Sequence, residues 1–214
     1  MSASPLFGTS PNPSSTGVEI RDRAREQGVL AALELLNRST ATECPRGPGG
    51  HAVVPEPQVQ VTAAVEVALD GGSLVALRAA DVPESADEPS SEWQLGLVWL
   101  RLGISERLLE NCLDYLGGRT AGGTPLLVQQ MVRGQLAEAR GDQIEVELML
   151  AQGALPSLLA DLHERITRTD RSLCRLLGAS SVVETGPGQE AYASELLADV
   201  YSPRTAPEPK ESAA

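Results

Sequence analysis

Few residues in this chain have the type and spacing to do chemistry. The stretch "RTAGGTPLLVQQ" (119–130) sets Arg119 ahead of a run of small residues, Pro125, and the pair Gln129 and Gln130, between two strongly helical segments. Such a connection is either a flexible turn, with Arg119 a solvated cation beside the preceding helix carbonyls, or part of a cofactor site. Other chemistries find little support. Histidine occurs only at His51 and His163, and cysteine at Cys44, Cys112 and Cys174, with no metal-ligand spacing among them. No metal site is expected. "TGPGQE" (185–190) follows no strand pattern and lacks the lysine of a phosphate-binding loop, so it reads as a turn. Ser172 or Ser180 with His163 has no triad spacing. The carboxylates of 84–92 and 138–147 read as solvated faces.

The composition narrows the partners. A formal net charge of −12 over 214 residues, with Lys210 the single lysine, repels phosphate backbones and anionic membrane surfaces. Neither nucleic acid nor a membrane is an expected partner. No apolar run approaches the ~18 residues that cross a bilayer. The N-terminus lacks the basic start and apolar core of a secretion signal, and the unpaired cysteines fit a reducing, cytoplasmic setting. Hydrophobic residues make up 42% but aromatics only 3%, so aliphatic packing must supply the core.

The elements that would position Arg119 follow from periodicity. Residues 1–17 are rich in proline, serine and glycine and are expected to be disordered. Ile20, Leu30, Leu33 and Leu36 predict a helix over about 18–37, and the proline and glycine of 43–51 a linker. In 58–82, Val59, Val61, Val65 and Val67 alternate with polar neighbours around "DGGS" (70–73), which predicts a β-hairpin leaning on something else. After the acidic breaker at 83–92, three apolar stripes predict helices. One joins Leu97, Leu100, Ile104, Leu108, Leu109, Cys112, Leu113 and Leu116. A second joins Val128, Met131, Val132, Leu136 and Ala139 behind Pro125, expected in the first turn of its helix. The third runs from Leu155 and Leu158 through Leu159, Leu162, Ile166, Leu173 and Leu176 to Leu177. A short helix is expected over 189–200 and a disordered tail over 202–214. The fold class expected is mainly α, an antiparallel helical bundle with a small preceding β-hairpin.

The segment "LGISERLLENCLDYLGGRTAGGTPLLVQQ" (102–130) resembles the opening of the C-terminal helical domain of the acyl-CoA dehydrogenases. Leu102 and Gly103 match that domain's "LG"; Arg119, Gly123, Pro125 and Leu126 match its Arg-x-x-Phe-Gly-x-Pro-Leu turn; Gln130 matches the glutamine of the next helix. Further on, Gly178 takes the first glycine of the family's late "LGG" turn, and Asp199 the aspartate of its Arg-Asp-Ala step. The resemblance runs over roughly 92–203. It implies a shortened chain, with 18–91 a remnant of the family's first two domains. It also implies that Arg119 holds the FAD diphosphate through forked, charge-assisted hydrogen bonds, that Gln130 and Gln129 bond the nucleotide, and that Gly178 contributes its turn. The FAD is often the neighbouring subunit's, so a homo- or hetero-oligomer with an acyl-CoA dehydrogenase-type chain is implied, acting on an acyl thioester.

The chain departs from the pattern where the reaction is most demanding. Gly122 stands where the turn carries an aromatic, Ala179 replaces the second glycine, and Ala198 the arginine before Asp199. Removing the α-proton needs a positioned carboxylate. Many members carry it just past the last helix, where this chain has "YSPRTAP" with no acid before Glu208. Others carry it before "LG", where Trp93 takes the matching position and Glu92 is the adjacent candidate. Two readings follow: a subunit that completes the FAD site of a partner supplying the base, or a non-catalytic interaction protein built on the same bundle.

Overall fold

The computed structural model describes residues 13–56 and 65–202. The expected disorder of residues 1–12 and 203–214, and the alternation at Val59 and Val61, lie outside them. Five helices dominate: α1 (Pro13–Ser39), α2 (Ser91–Gly117), α3 (Gln130–Ala151), α4 (Leu159–Leu177) and α5 (Pro187–Tyr201). The mainly helical class holds. Among the described residues, no helix is long and apolar enough to cross a membrane.

α2 is the central element, and the other four helices pack on it. Ser90 caps its start, the hydroxyl accepting the Trp93 N–H at 3.1 Å. Leu97, Leu100, Ile104, Leu108, Leu109, Cys112 and Leu116 are buried as their spacing predicts, each leucine stabilising the fold by ~1.5–3 kcal/mol before entropy is counted. Gly103 serves packing: a Cβ there would stand 2.2 Å from the Arg21 carbonyl oxygen, so the glycine lets α1 cross α2 at close range.

α1 starts at Pro13, ahead of the expected Val18, so residues 13–17 are helical rather than disordered. It is also not one continuous helix. Gly28, at φ 86° and ψ −176°, breaks it into two halves. The hairpin is part of a larger unit. β2 (Val65–Leu69) and β3 (Gly72–Leu77) pair across Asp70 and Gly71, and β1 (Ala52–Pro55), just after the expected linker, adds to the far edge of β3 in the order β1-β3-β2, all antiparallel. The sheet leans on α1 and α5. Val53, Val67 and Leu74 join Leu33, Trp93, Leu162 and Tyr201 in one hydrophobic core.

Several stripe residues are not core. Leu113, Val128, Met131, Leu155 and Leu158 are exposed, Met131 at 80%. They sit at a helix edge or in the short 3-10 turns Leu126–Val128 and Pro156–Leu158, where the 3.6-residue period no longer applies. Pro125 likewise precedes its helix: it ends a two-residue strand, and α3 begins at Gln130.

Candidate functional site

Arg119 follows the C-terminus of α2. Gly118 caps that helix, and the Arg119 N–H bonds back to the Leu116 carbonyl at 3.2 Å. The chain then forms a minimal hairpin, β4 (Thr120–Ala121) with β5 (Thr124–Pro125), turning through Gly122 and Gly123 at φ +57° and +80°. Two successive positive φ angles are what a two-residue hairpin of right-handed twist requires. Gly122 is therefore needed by the turn itself. The Leu126 N–H closes the unit on the Arg119 carbonyl at 2.9 Å.

The Arg119 side chain is exposed, and its guanidinium carbon lies 3.9 Å above the Tyr115 ring, one helical turn earlier. Among the described residues no carboxylate pairs with it. Gln129 is half-buried at the N-cap of α3, and Gln130 is the exposed first residue of that helix. The first amides of α3 carry no side-chain cap, which leaves an open helix start of the kind that binds anions. Gly178 ends α4 at φ 56° and ψ −129°, a conformation favouring glycine. Leu177 beside it shares a core cluster with Leu116, Leu126 and Leu127. Arg119, Gln129, Gln130 and Gly178 thus gather at one end of the bundle. The two cavities of about 430 Å³ have other linings, one Cys44, Pro83 and Ser90, the other Leu109, Leu113, Ala137 and Arg140.

Glu92 is exposed in the first turn of α2. Some 25 residues of helix separate it from the Arg119 end, about 38 Å at 1.5 Å per residue. Within one chain the two cannot serve a single site. The neighbouring Trp93 is fully buried, its indole N–H bonded to Asn37 Oδ1 at 2.9 Å and its ring edge-on to Tyr201 with centroids 4.7 Å apart.

Mid-bundle, a polar cluster escaped the periodicity argument. Arg101 is completely buried and donates to Ser194 Oγ (3.0 Å), Thr167 Oγ1 (2.8 Å), His163 Nδ1 (2.9 Å) and the His163 carbonyl (3.1 Å). Burial lowers Arg101 to about 10, which still leaves it cationic at neutral pH. Burial, helped by that cation, holds His163 down to about 3. Asp170 is pushed up to about 7 by burial, with the Ser105 hydroxyl and Arg101 pulling the other way. The signal was an arginine inside the apolar run "LGLVWLRLGI" (95–104), too long and apolar for one solvated face. The cluster, buried apart from half-buried Thr167, reads as a structural tie between α2, α4 and α5.

Residues 91–186 match the family model of the acyl-CoA dehydrogenase C-terminal domain. No curated protein matches the chain. Similar solved structures include a glutaryl-CoA dehydrogenase from Mycobacterium smegmatis in complex with FADH2 (20% identity over 71% of this chain and 44% of that one, TM-score 0.46). Others are the ChsE4-ChsE5 complex from Mycobacterium tuberculosis (20% identity, 73% and 53% covered, TM-score 0.46) and a butyryl-CoA dehydrogenase from Megasphaera elsdenii (14%, 75% and 59%, TM-score 0.38). The chain spans about half the length of these structures.

Proposed function

From a bundle whose residues 91–186 match the acyl-CoA dehydrogenase C-terminal domain family, we propose that this chain is a divergent member of that family. It completes the FAD site of a partner chain for α,β-dehydrogenation of an acyl thioester. The observation that carries this reading is Arg119: an exposed guanidinium without a carboxylate partner among the described residues, on a chain of net charge −12, stacked on Tyr115 beside the uncapped start of α3. A diphosphate suits that arrangement. The fork of Arg119 answers two phosphate oxygens, and the first amides of α3 add an aligned partial positive charge. Gln130, and Gln129 behind it, would bond the nucleotide from the same side, with the Gly178 turn closing the edge.

These residues, a guanidinium fork, the helix-start amides of α3 and two glutamines, fit the phosphate portion of FAD. Bound FAD would supply the acceptor for the substrate's β-hydride. The residues here bind and orient, and a second chain encloses the flavin. The carboxylate that takes the α-proton comes from that chain, because Glu92 stands at the far end of α2.

The test is the visible absorption spectrum of the chain isolated from its native host with whatever chains accompany it. Flavin bands near the stoichiometry of the complex are expected, and Arg119→Ala should remove most of the flavin while the helical circular dichroism is unchanged. A colourless complex, or flavin retained in full by Arg119→Ala, overturns the reading.

A further inference from the structure

Between α4 and α5 lies a groove of about 360 Å³, within the range of small-molecule sites. Part of its lining is apolar: Cys174 from α4, and from α5 Ala191 and the ring of Tyr192, a residue 48% exposed. Burial pushes the Cys174 thiol up to about 11, so it stays neutral and acts as a small apolar group. Charged side chains make up most of the remainder. Arg171 and Glu195 join in an ion pair from α4 to α5. That leaves one carboxyl, Asp170, and one guanidinium, Arg175.

Neither of these two is fully answered within the chain. Arg175 is exposed and donates through Nε to the Arg171 carbonyl at 3.2 Å. Among the described residues no carboxylate pairs with it, so its two Nη groups remain. Asp170 is 4% exposed, and of the hydrogen-bond donors around it the Ser105 hydroxyl alone acts on it. Arg101, the buried cation of this region, directs its bonds to Ser194, Thr167 and His163 instead. An ionised carboxylate offers about four acceptor positions, and most of them stay empty here. Buried polar groups are ordinarily satisfied. The shortage points to a donor from outside the chain.

We propose that this groove binds a free α-amino acid with an apolar side chain: its ammonium on Asp170, its carboxylate on the fork of Arg175, and its side chain on Cys174, Ala191 and the Tyr192 ring. Asp170 and Arg175 stand five positions apart on α4, outside the spacing of three or four that brings helix side chains together. A zwitterion answers both at once. A plain amine would leave Arg175 unanswered, and a plain carboxylate would leave Asp170. One hydrogen bond, from Ser105, holds the Asp170 carboxyl inward, a light constraint against a charge-assisted bond to an ammonium. Burial, with Glu195 adding to it, raises Asp170 to about 7, and a cation beside it would offset both causes. The site is separate from the flavin reading, since none of Arg119, Gln129, Gln130 and Gly178 lines it.

The test is isothermal titration calorimetry of the full chain at pH 8 with three probes. These are L-phenylalanine, phenethylamine, which lacks the carboxylate, and 3-phenylpropionate, which lacks the ammonium. Phenylalanine should bind at least tenfold more tightly than either analogue. Asp170→Asn should weaken phenylalanine binding about ten- to a hundredfold and leave 3-phenylpropionate unchanged. Arg175→Gln, at an exposed position, should weaken phenylalanine to a similar extent and leave phenethylamine unchanged. Helical circular dichroism checks that both variants are folded. A parent that takes up no phenylalanine at millimolar concentration overturns the proposal, as does either folded variant binding it as tightly as the parent. No flavin is present in the titration, so failure here leaves the flavin reading standing, and the reverse.

Discussion

The Glu190 carboxylate, near the head of α5, accepts the backbone N–H of Val29 at 2.9 Å, across 161 positions of sequence. Val29 is the first residue after the Gly28 break, so this N–H opens the second half of α1 and has no carbonyl of its own helix to bond. A carboxylate at that point satisfies the donor and complements the helix dipole. Gly28 and Glu190 form one device: a Cβ on residue 28 would sit 2.6 Å from Glu190 Oε1.

Glu190→Ala should therefore cost about 0.5–2 kcal/mol, the usual range for losing a helix cap, and Glu190→Gln, which keeps an acceptor oxygen, clearly less. Gly28→Ala should cost at least as much as Glu190→Ala, since φ +86° is closed to a residue with a Cβ and the cap is pushed away as well. Urea unfolding of the three variants ranks them. Equal stability of Glu190→Ala and the parent would remove the capping role.

Such a device shows how far the sequence could be read. Helix positions came from long-period apolar stripes, and the stretch around Arg119 from residue types in order; both are local signals. The Gly28 break was not legible, because a glycine inside a helical pattern is tolerated as often as it is disruptive, and what decides here is a carboxylate 162 residues away. β1 was hidden in the same way. Its four residues follow a proline- and glycine-rich run, and only β3 across the turn makes them a strand. At the candidate site, Tyr115 beneath Arg119 was unread, although a spacing of four residues across the end of α2 puts the two within reach.

Tyr115 should act on flavin through Arg119 alone. An exposed cation–π contact is worth ~0.5–1 kcal/mol, so Tyr115→Leu should weaken flavin retention about two- to fivefold. Losing the Arg119 fork forfeits charge-assisted bonds of ~1.5–3 kcal/mol, about ten- to a hundredfold. In the flavin-bearing complex, Tyr115→Phe should behave as the parent. If Tyr115→Leu and Tyr115→Phe lose flavin equally, the hydroxyl and not the ring face is what matters, and the stacking argument fails.

The buried cluster makes a prediction about pH. Asp170, raised from 3.8 to about 7, holds more protons in the folded chain than in the unfolded one between those values, so its contribution to stability rises as pH falls through that window. His163, lowered from 6.5 to about 3, does the reverse: the unfolded chain takes up the proton first, and stability falls as pH drops below 6.5. From about pH 6.5 to 4 the two nearly cancel. Asp170→Asn should expose the histidine alone, adding a loss of stability of up to ~1.4 kcal/mol per unit of acidification there, while gaining stability above pH 7. Chemical denaturation of parent and variant at pH 5, 6.5 and 8 measures it. Parallel profiles would mean that Asp170 is ionised in the fold throughout.

One phenol of α5 ties the β1 backbone to the core. Tyr201 Oη accepts the Val53 N–H at 2.8 Å and lies 3.2 Å from the Pro45 carbonyl and 3.3 Å from that of Val53, all buried. Val53 N–H points away from β3's partner carbonyls toward the core, so nothing but the phenol satisfies it. Removing the hydroxyl alone leaves the ring, its edge-on contact with Trp93, and the buried volume in place. Tyr201→Phe should thus cost about 1–3 kcal/mol, the penalty of a stranded buried donor, without disturbing the helices. The loss should also be local: hydrogen exchange at the Val53 amide should speed up by more than at Leu97 or Leu100 in α2, because β1 can detach while the bundle stays folded. Uniform acceleration across β1 and α2 would instead make the phenol part of the global folding unit, and the sheet could not then be treated as an appendage of the bundle.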